Sequence, residues 1–141
     1  MPTRLAPLAF ALIACAAIAA PANPAQREIA TARIHATVAT QIDNIQGVHL
    51  HLHHVINCLV GPHGNGWDAA AEAVSENHCT GLGHGAIADS NNDPAVHRLA
   101  ETALRDAQAG VKAGNLGTAH RDAHEALEAL EEAEQRAATT P

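Results

Sequence analysis

Apolar residues recur every three or four positions through residues 26–60, and this spacing restricts the fold more than any other feature of the chain. They are Ile34, Val38, Ile42, Ile45, Leu52, Ile56 and Leu59, and His49 fills the one gap in the series, between Ile45 and Leu52. Side chains at this spacing lie on one face of an α-helix. The segment contains no proline and a single glycine, and Gly61-Pro62 follows it. Because proline cannot continue a helix, the sequence predicts one long helix over residues 26–60.

Residues 48–53 also fit a second pattern, because apolar side chains alternate there with histidine. On a β-strand this alternation would place His49, His51 and His53 on one face, which is a good geometry for a metal site. The helical spacing stays in phase on both sides of the segment. We therefore expect a helix and keep the strand as the alternative.

The segment 61–94 is rich in glycine and is predicted to be a long connection with one short helix over residues 67–74. Two cysteines, Cys58 and Cys79, flank the first part of this connection. A disulfide between them is expected if the chain is exported, and a pair of thiolate metal ligands is the alternative that an oxidising compartment disfavours.

Two further helices are predicted in the last third of the chain. Asp93-Pro94 is typical of a helix start, with the aspartate as cap and proline in the first turn, and this helix should end near Val111. Gly114-Asn115 interrupts the pattern, and an amphipathic helix follows over residues 116–138. The sequence therefore predicts an all-α fold, an antiparallel bundle of about four helices whose long connection is stapled by a disulfide.

The N-terminus is typical of a secretory signal peptide. Arg4 precedes an uncharged apolar run, residues 5–20, which is shorter than the roughly 20 residues a membrane span needs. We expect a signal peptide over residues 1–22 and one mature domain over residues 23–141. Residues 12–15 also resemble a lipobox, in which Cys15 would be lipidated and would tether the domain to a membrane. Both interpretations place the domain in the periplasm or otherwise outside a bacterial cytoplasm.

Charge and composition exclude several classes of function. Acidic residues outnumber basic ones by fifteen to eight, and the chain has one tryptophan and no tyrosine. An acidic chain without stacking aromatics is a poor nucleic-acid binder. No Ser-His-Asp set, pair of catalytic carboxylates or HExxH sequence is present, so we do not expect an enzyme.

Eleven histidines point instead towards metal binding, because imidazole suits zinc, copper and nickel. On one continuous helix, three of the N-terminal histidines fall within about 40° of one another on the apolar face. The predicted inner set is His35, His49 and His53, and the predicted outer set is His51, His54 and Cys58. Buried imidazole nitrogens without partners cost about 1–3 kcal/mol each, which favours metal ligation of an inner set.

Two histidine pairs are the predicted ligands. His49 with His53, and His120 with His124, are each one helical turn apart, so facing helices would offer four nitrogens to one ion. His35 and His97 are auxiliary candidates. The secondary candidates are the outer His51 and His54 and the loop residues His63, His78 and His84. For the single histidines, a hydrogen-bonded core residue or a solvated surface residue is the competing interpretation.

The segment 107–133 resembles small histidine-rich metal-binding proteins of the bacterial periplasm. The resemblance is carried by an Ala-Gly-x-x-x-Gly turn and by the pattern Ala119-His120, Ala123-His124, Leu127 and Leu130. It implies a four-helix bundle that buffers or scavenges copper, nickel or zinc. It covers the last third of the chain.

The sequence thus predicts an exported metal-binding protein, a buffer, carrier or resistance factor for copper, nickel or zinc. One alternative is a bundle that binds b-type haem through two inward histidines. Another is a cofactor-free envelope interaction module whose histidines respond to pH. The expected partner is the metal ion, with a membrane added only if Cys15 is lipidated.

Overall fold

The computed structural model describes residues 22–76 and 78–139, which contain six helices and no strand. The helices are α1 (Pro24–Ala39), α2 (Ile45–Val60), α3 (Ala69–Glu72), α4 (Ala86–Asp89), α5 (Pro94–Val111) and α6 (Leu116–Thr139). The four long helices pack as a bundle, in which α1 contacts α2 and α6, and α5 contacts α2 and α6. This confirms the predicted all-α bundle, and the strand predicted as an alternative over residues 48–53 lies inside α2. The predicted signal peptide, with Cys15, lies outside the described residues apart from Ala22.

The single long helix predicted over residues 26–60 is wrong, because the chain turns between α1 and α2. Thr40 ends α1, and the side chain of Asn44 accepts a hydrogen bond from the Gly47 amide at 2.8 Å to cap α2. Ile42 lies in the turn and packs against the core from there. Ile42 therefore continues the apolar spacing of α1 and α2 through the turn. For this reason the periodicity of the sequence does not show where α1 ends and α2 begins.

The bundle core is built mainly from alanine. The fully buried alanines of α5 and α6 are Ala100, Ala103, Ala107, Ala119, Ala123, Ala126 and Ala133. Small side chains let helices approach closely, and a Cβ atom on Gly110 of α5 would lie only 2.5 Å from Leu52 and 3.2 Å from Asp122. None of the described helices combines the length and the hydropathy that crossing a membrane requires.

The bounds of α5 and α6 follow the sequence signals closely. The Asp93 carboxylate accepts hydrogen bonds from the amides of Ala95 and Val96, with Pro94 at the first helical position. A four-residue turn separates the two helices, and the Asn115 side chain accepts from the Thr118 amide at the start of α6. A turn this short makes α5 and α6 antiparallel neighbours, as predicted.

The connection from α2 to α5 is folded back onto the end of α2. Its first helix, α3, is shorter than the predicted segment 67–74, and α4 was not predicted. The disulfide between Cys58 and Cys79 is present, as expected. Gly85 has a φ of 106°, and any side chain there would collide with the Val60 carbonyl. The connection therefore passes against α2 at a distance that only glycine allows.

Candidate metal centre

Three histidine rings meet between α1 and α2. The Nδ1 atom of His35 lies 3.2 Å from Nδ1 of His51 and 3.2 Å from Nδ1 of His54. One ring nitrogen from each histidine lies within 4.8 Å of the other two, and no other group of three such ligands occurs in residues 22–76 and 78–139. We call these three residues the histidine cluster.

The positions of the three rings follow from where the histidines lie on α1 and α2. His51 and His54 are three positions apart on α2, so they lie on one face of that helix. His35 on α1 faces them across the helix interface. His35 and His54 are buried, with 3% and 2% of their surface exposed, whereas His51 is half-buried. The cluster therefore lies at the edge of the core, with one side towards solvent.

Hydrogen bonds on the far side of the rings orient two of the three histidines. The Nε2 atom of His54 donates to the Ala71 carbonyl oxygen at 2.8 Å. Because a carbonyl only accepts, Nε2 carries the proton and Nδ1 keeps its lone pair, which points to His35. The Nε2 atom of His35 lies 3.4 Å from the Ser75 hydroxyl. Outer hydrogen bonds of this kind hold metal-ligating histidines in position.

The electrostatic surroundings favour neutral rings. Burial lowers the pKa of His54, and this effect exceeds the opposing hydrogen bond to Ala71. Burial also lowers the pKa of His51, and the nearby charge of His54 lowers it further. A histidine must be neutral to bind a metal ion, so both residues are in the binding-competent form at neutral pH.

The spacing of the nitrogens matches the size of a metal ion. In a tetrahedral site with zinc–nitrogen bonds of about 2.0–2.1 Å, the ligand nitrogens lie about 3.3–3.4 Å apart. The two measured separations from His35 are 3.2 Å each. Both separations from His35 are therefore close to those of coordinated nitrogens, and coordination would require His35 to carry its proton on Nε2.

Asn57 holds the segment that supplies the outer hydrogen bonds. Its side-chain amide donates to the Asp68 carbonyl at 2.8 Å and accepts from the Asp68 amide at 2.7 Å. The backbone N–H and C=O of Asp68 are therefore both hydrogen-bonded to the buried side chain of Asn57 in α2. This pairing fixes the start of α3, which carries Ala71 and is followed by Ser75.

Glu72 fastens the end of the same segment. Its carboxylate accepts hydrogen bonds from the Thr80 amide at 2.9 Å and the Thr80 hydroxyl at 2.8 Å. Burial raises the pKa of Glu72, but the hydrogen bonds from Thr80 and Asn57 outweigh burial and hold this pKa below its ordinary value. Together with the disulfide at Cys79, these contacts keep the loop closed over the cluster.

The predicted inner and outer histidine sets of α2 match the structure only in part, because His54 of the outer set is buried, while Leu52 and Ile56 of the predicted inner face are buried as expected. His53, predicted to point inward, lies 3.2 Å from the Asp68 carboxylate, and each side chain is about one third exposed. His49 is half-buried, and its Nε2 has no hydrogen-bond partner among the described residues. The face towards α1 instead presents His51 and His54. Because of the turn at 40–44, His35 does not share a continuous helical phase with α2, and it meets His51 and His54 instead of His49 and His53.

The predicted four-nitrogen site between α2 and α6 is not assembled in the described structure, where no three of its ligands lie together. His120 Nε2 lies 2.8 Å from the Ile42 carbonyl oxygen, so this ring binds the turn between α1 and α2 to α6. His124 is exposed on α6. The auxiliary candidate His97 has Nδ1 2.9 Å from the Ile87 carbonyl oxygen and serves the contact between α5 and α4.

The loop histidines are separate from the cluster. His63 is exposed, His78 lies 3.5 Å from the Glu72 carboxylate, and His84 lies 3.1 Å from the Asp89 carboxylate. Solvent reaches 82% of the His84 side chain. His78 and His84 thus each lie beside a single carboxylate, and none of the three loop rings belongs to a group of three ligands in the described residues.

One feature of the sequence does indicate that His54 is buried, although the apolar spacing alone places His54 on the outer face of α2. His54 and Cys58 are one helical turn apart, so they share a face. A disulfide from Cys58 to the connection requires that connection to cover this face. The expected disulfide thus predicts burial of His54, whereas the contribution of Ala71 and Ser75 depends on loop geometry that the sequence does not reveal.

The cluster offers three imidazole nitrogens and, among the described residues, no carboxylate or thiolate within the same group. Both Cys58 and Cys79 are bonded to each other and so are not thiolate ligands. Such a donor set suits zinc, copper and nickel better than calcium or magnesium. Comparisons of the chain with protein-family models, with curated proteins and with solved structures give no match.

Proposed function

We propose that this protein binds one divalent transition-metal ion through the Nδ1 atoms of His35, His51 and His54. The observation that carries the proposal is the convergence of these atoms, with both separations from His35 at 3.2 Å. The hydrogen bond from His54 Nε2 to Ala71 supports it, because it leaves the lone pair of Nδ1 directed into the cluster.

Zinc(II) is the ion that we propose for this site. Nitrogens at the two separations of 3.2 Å from His35 suit zinc, which accepts a tetrahedral arrangement without a geometric preference from d electrons. Copper(II) and nickel(II) prefer tetragonal arrangements, although copper(II) leads the general order of affinity for nitrogen ligands. The cluster therefore selects by geometry, and copper is the strongest competitor.

We propose further that the protein acts outside the cytoplasm as a metal buffer, carrier or resistance factor. The Cys58–Cys79 disulfide supports an oxidising compartment, and the apolar run after Arg4 supports export. The half-buried His51 gives the ion a route to solvent. A site with such access suits exchange better than permanent structural binding.

The haem-binding alternative receives no support from this geometry. Two axial histidines must lie on opposite sides of a porphyrin. Here the ring centroids of His35 and His54 are 4.5 Å apart, and the rings contact each other directly. A porphyrin between these two rings would require α1 and α2 to separate.

Calorimetric titration of the purified protein with zinc tests the proposal. Wild-type protein is expected to bind one equivalent at the cluster. Because loss of outer partners alone costs 10–100-fold in affinity, His35→Ala and His54→Ala should each weaken binding by more than about 100-fold. Circular dichroism of each variant shows whether the helices are retained.

Two matched variants separate the cluster from the other histidines. His124→Ala removes an exposed ring of α6, and His53→Ala removes the neighbour of His54 that lies outside the cluster. Both should bind zinc within about threefold of wild type. Equal loss of binding in His124→Ala and His54→Ala, or tight binding by folded His54→Ala, would overturn the proposed ligand set.

A further inference from the structure

The histidine cluster opens into a pocket whose lining is partly apolar and partly polar. The pocket has a volume of about 370 Å³, and its other lining residues are Ile34, Val38, Leu50, Val74, Ser75 and Glu76. Ile34 and Val74 are 41% and 64% exposed, and they are the two exposed large apolar side chains of the described chain. Both therefore lie beside the place where the metal ion is proposed to bind.

The described chain supplies three ligands to this place and no fourth. A zinc ion bound by three protein ligands has an open position that water or another molecule fills. No described cysteine, aspartate or glutamate atom joins the cluster within 4.8 Å. The open position of the ion would thus face a pocket that is large enough for a small molecule.

The charge of the site determines which small molecules bind there. Three neutral imidazoles leave both positive charges of the ion uncompensated. The apolar side chains in the lining solvate an uncompensated charge poorly, which raises the cost of that charge. Glu76 is the one charged side chain among the lining residues, and it is exposed. An anion bound directly to the metal ion would neutralise part of its positive charge, which no side chain in the cluster neutralises.

We infer that the metal centre is an open one, whose fourth coordination position takes a small exogenous monoanion. This inference rests on the proposed metal binding by His35, His51 and His54. The ligand class is a monoanion that donates one nitrogen, oxygen or sulfur atom and fits beside Ile34 and Val74. The rival occupant of the same position is the carboxylate of Glu76, brought in by movement of its segment.

Cobalt(II) in place of zinc makes the fourth position visible. The visible absorption of protein-bound cobalt(II) changes when one of its ligands is exchanged. Full-length protein loaded with one equivalent of cobalt is titrated with sodium azide and, separately, with sodium thiocyanate. We expect each anion to shift the cobalt bands in a saturable way with one anion per metal.

The possible failures are distinguishable. Absence of any protein-dependent cobalt band, together with absence of zinc binding, would overturn the proposed function itself. Cobalt bands that neither anion alters would overturn only the open fourth position. Glu76→Gln should keep the anion-dependent shift, and a shift that appears only in this variant would assign the fourth position to the Glu76 carboxylate and overturn the inference.

A negative charge introduced at the entrance of the pocket gives a second test of where the anion binds. Val74→Asp adds a negative charge beside the proposed anion, and repulsion across a few ångströms should weaken azide binding about tenfold. Gln135→Glu adds the same charge on the exposed surface of α6 and is the matched control, with azide affinity expected within about twofold of wild type. Equal azide affinity in Val74→Asp and Gln135→Glu would show that the anion does not bind in this pocket.

Discussion

A single buried carboxyl group, that of Glu28 on α1, joins the first helix to the glycine-rich connection. Its Oε1 atom accepts a hydrogen bond from the Gly85 amide at 2.8 Å, and only 1% of the residue is exposed. Burial raises the pKa of Glu28 to about 7, and the Asp89 carboxylate beside it adds to this rise, whereas the Gly85 amide and the charge of His84 oppose it. Folding therefore favours the protonated form of this carboxyl group.

This raised pKa predicts a loss of stability with increasing pH. The contribution of Glu28 to the free energy of unfolding is fully present below its ordinary pKa of 4.5 and is lost as the pH rises through about 7. Glu28→Gln should remove this contribution, so the difference in unfolding free energy between pH 5 and pH 8 should shrink by on the order of 2 kcal/mol. Urea denaturation of metal-free protein at a series of pH values measures it.

An exposed glutamate of α6 gives the control for this measurement. Glu131→Gln removes the same charge from the surface and should leave the pH dependence of stability unchanged. Identical pH profiles for wild type and Glu28→Gln would contradict the assignment. Because both variants are compared with the same parent, the pH dependence of the histidines cancels.

At the scale of the helices, the turn between α1 and α2 decides which histidines meet. Its defining contact is the cap from the Asn44 side chain to the Gly47 amide. A Cβ atom on Gly47 would lie 2.6 Å from Ile42, so the first turn of α2 packs tightly on the preceding residues. The register of α2 relative to α1, and with it the cluster, depends on this short segment.

Loss of the cap should destabilise the protein measurably. Asn44→Ala removes the acceptor of the Gly47 amide, and losing such a cap costs about 1 kcal/mol. The change should lower the midpoint of thermal unfolding by a few degrees. Asp43→Ala, at the exposed position before the cap, is the matched control and should unfold within about one degree of wild type. Equal midpoints for the two variants would contradict the capping role.

The helices differ in how far the sequence alone determines them. The bounds of α5 and α6 were predictable because Asp93-Pro94 and Gly114-Asn115 are local signals with a direct conformational effect. The turn after α1 contains no glycine or proline, and Ile42 keeps the apolar spacing through it. For the same reason the sequence predicted His35, His51 and His54 only as auxiliary and secondary ligands, since their meeting depends on that turn.

For the molecule as a whole, the Cys58–Cys79 disulfide joins the helical bundle to the loop above the cluster. Replacing both cysteines by alanine should lower the free energy of unfolding by about 3 kcal/mol, because the closed loop of some twenty residues gains freedom in the unfolded chain. Urea denaturation without metal measures this loss.

The same double variant should also bind zinc about tenfold more weakly, because Ala71 and Ser75 would be held only through Asn57 and Glu72. Calorimetric titration of the variant that still shows native helicity measures the affinity. Wild-type protein taken through the same purification is the control. Unchanged zinc affinity together with reduced stability would show that the loop keeps its position over the rings without the covalent bond.

The two helical hairpins of the bundle, α1–α2 and α5–α6, carry unequal constraints. Every proposed ligand, and the half-cystine next to them, belongs to the first hairpin, while α5 and α6 contribute an alanine surface against which it packs. Sequence drift should accordingly be uneven: the outward positions of α6, including its many glutamates, can be exchanged over generations without altering coordination. In the hairpin of α5 and α6, selection has to preserve small side chains on the buried faces of the helices and not metal-binding side chains.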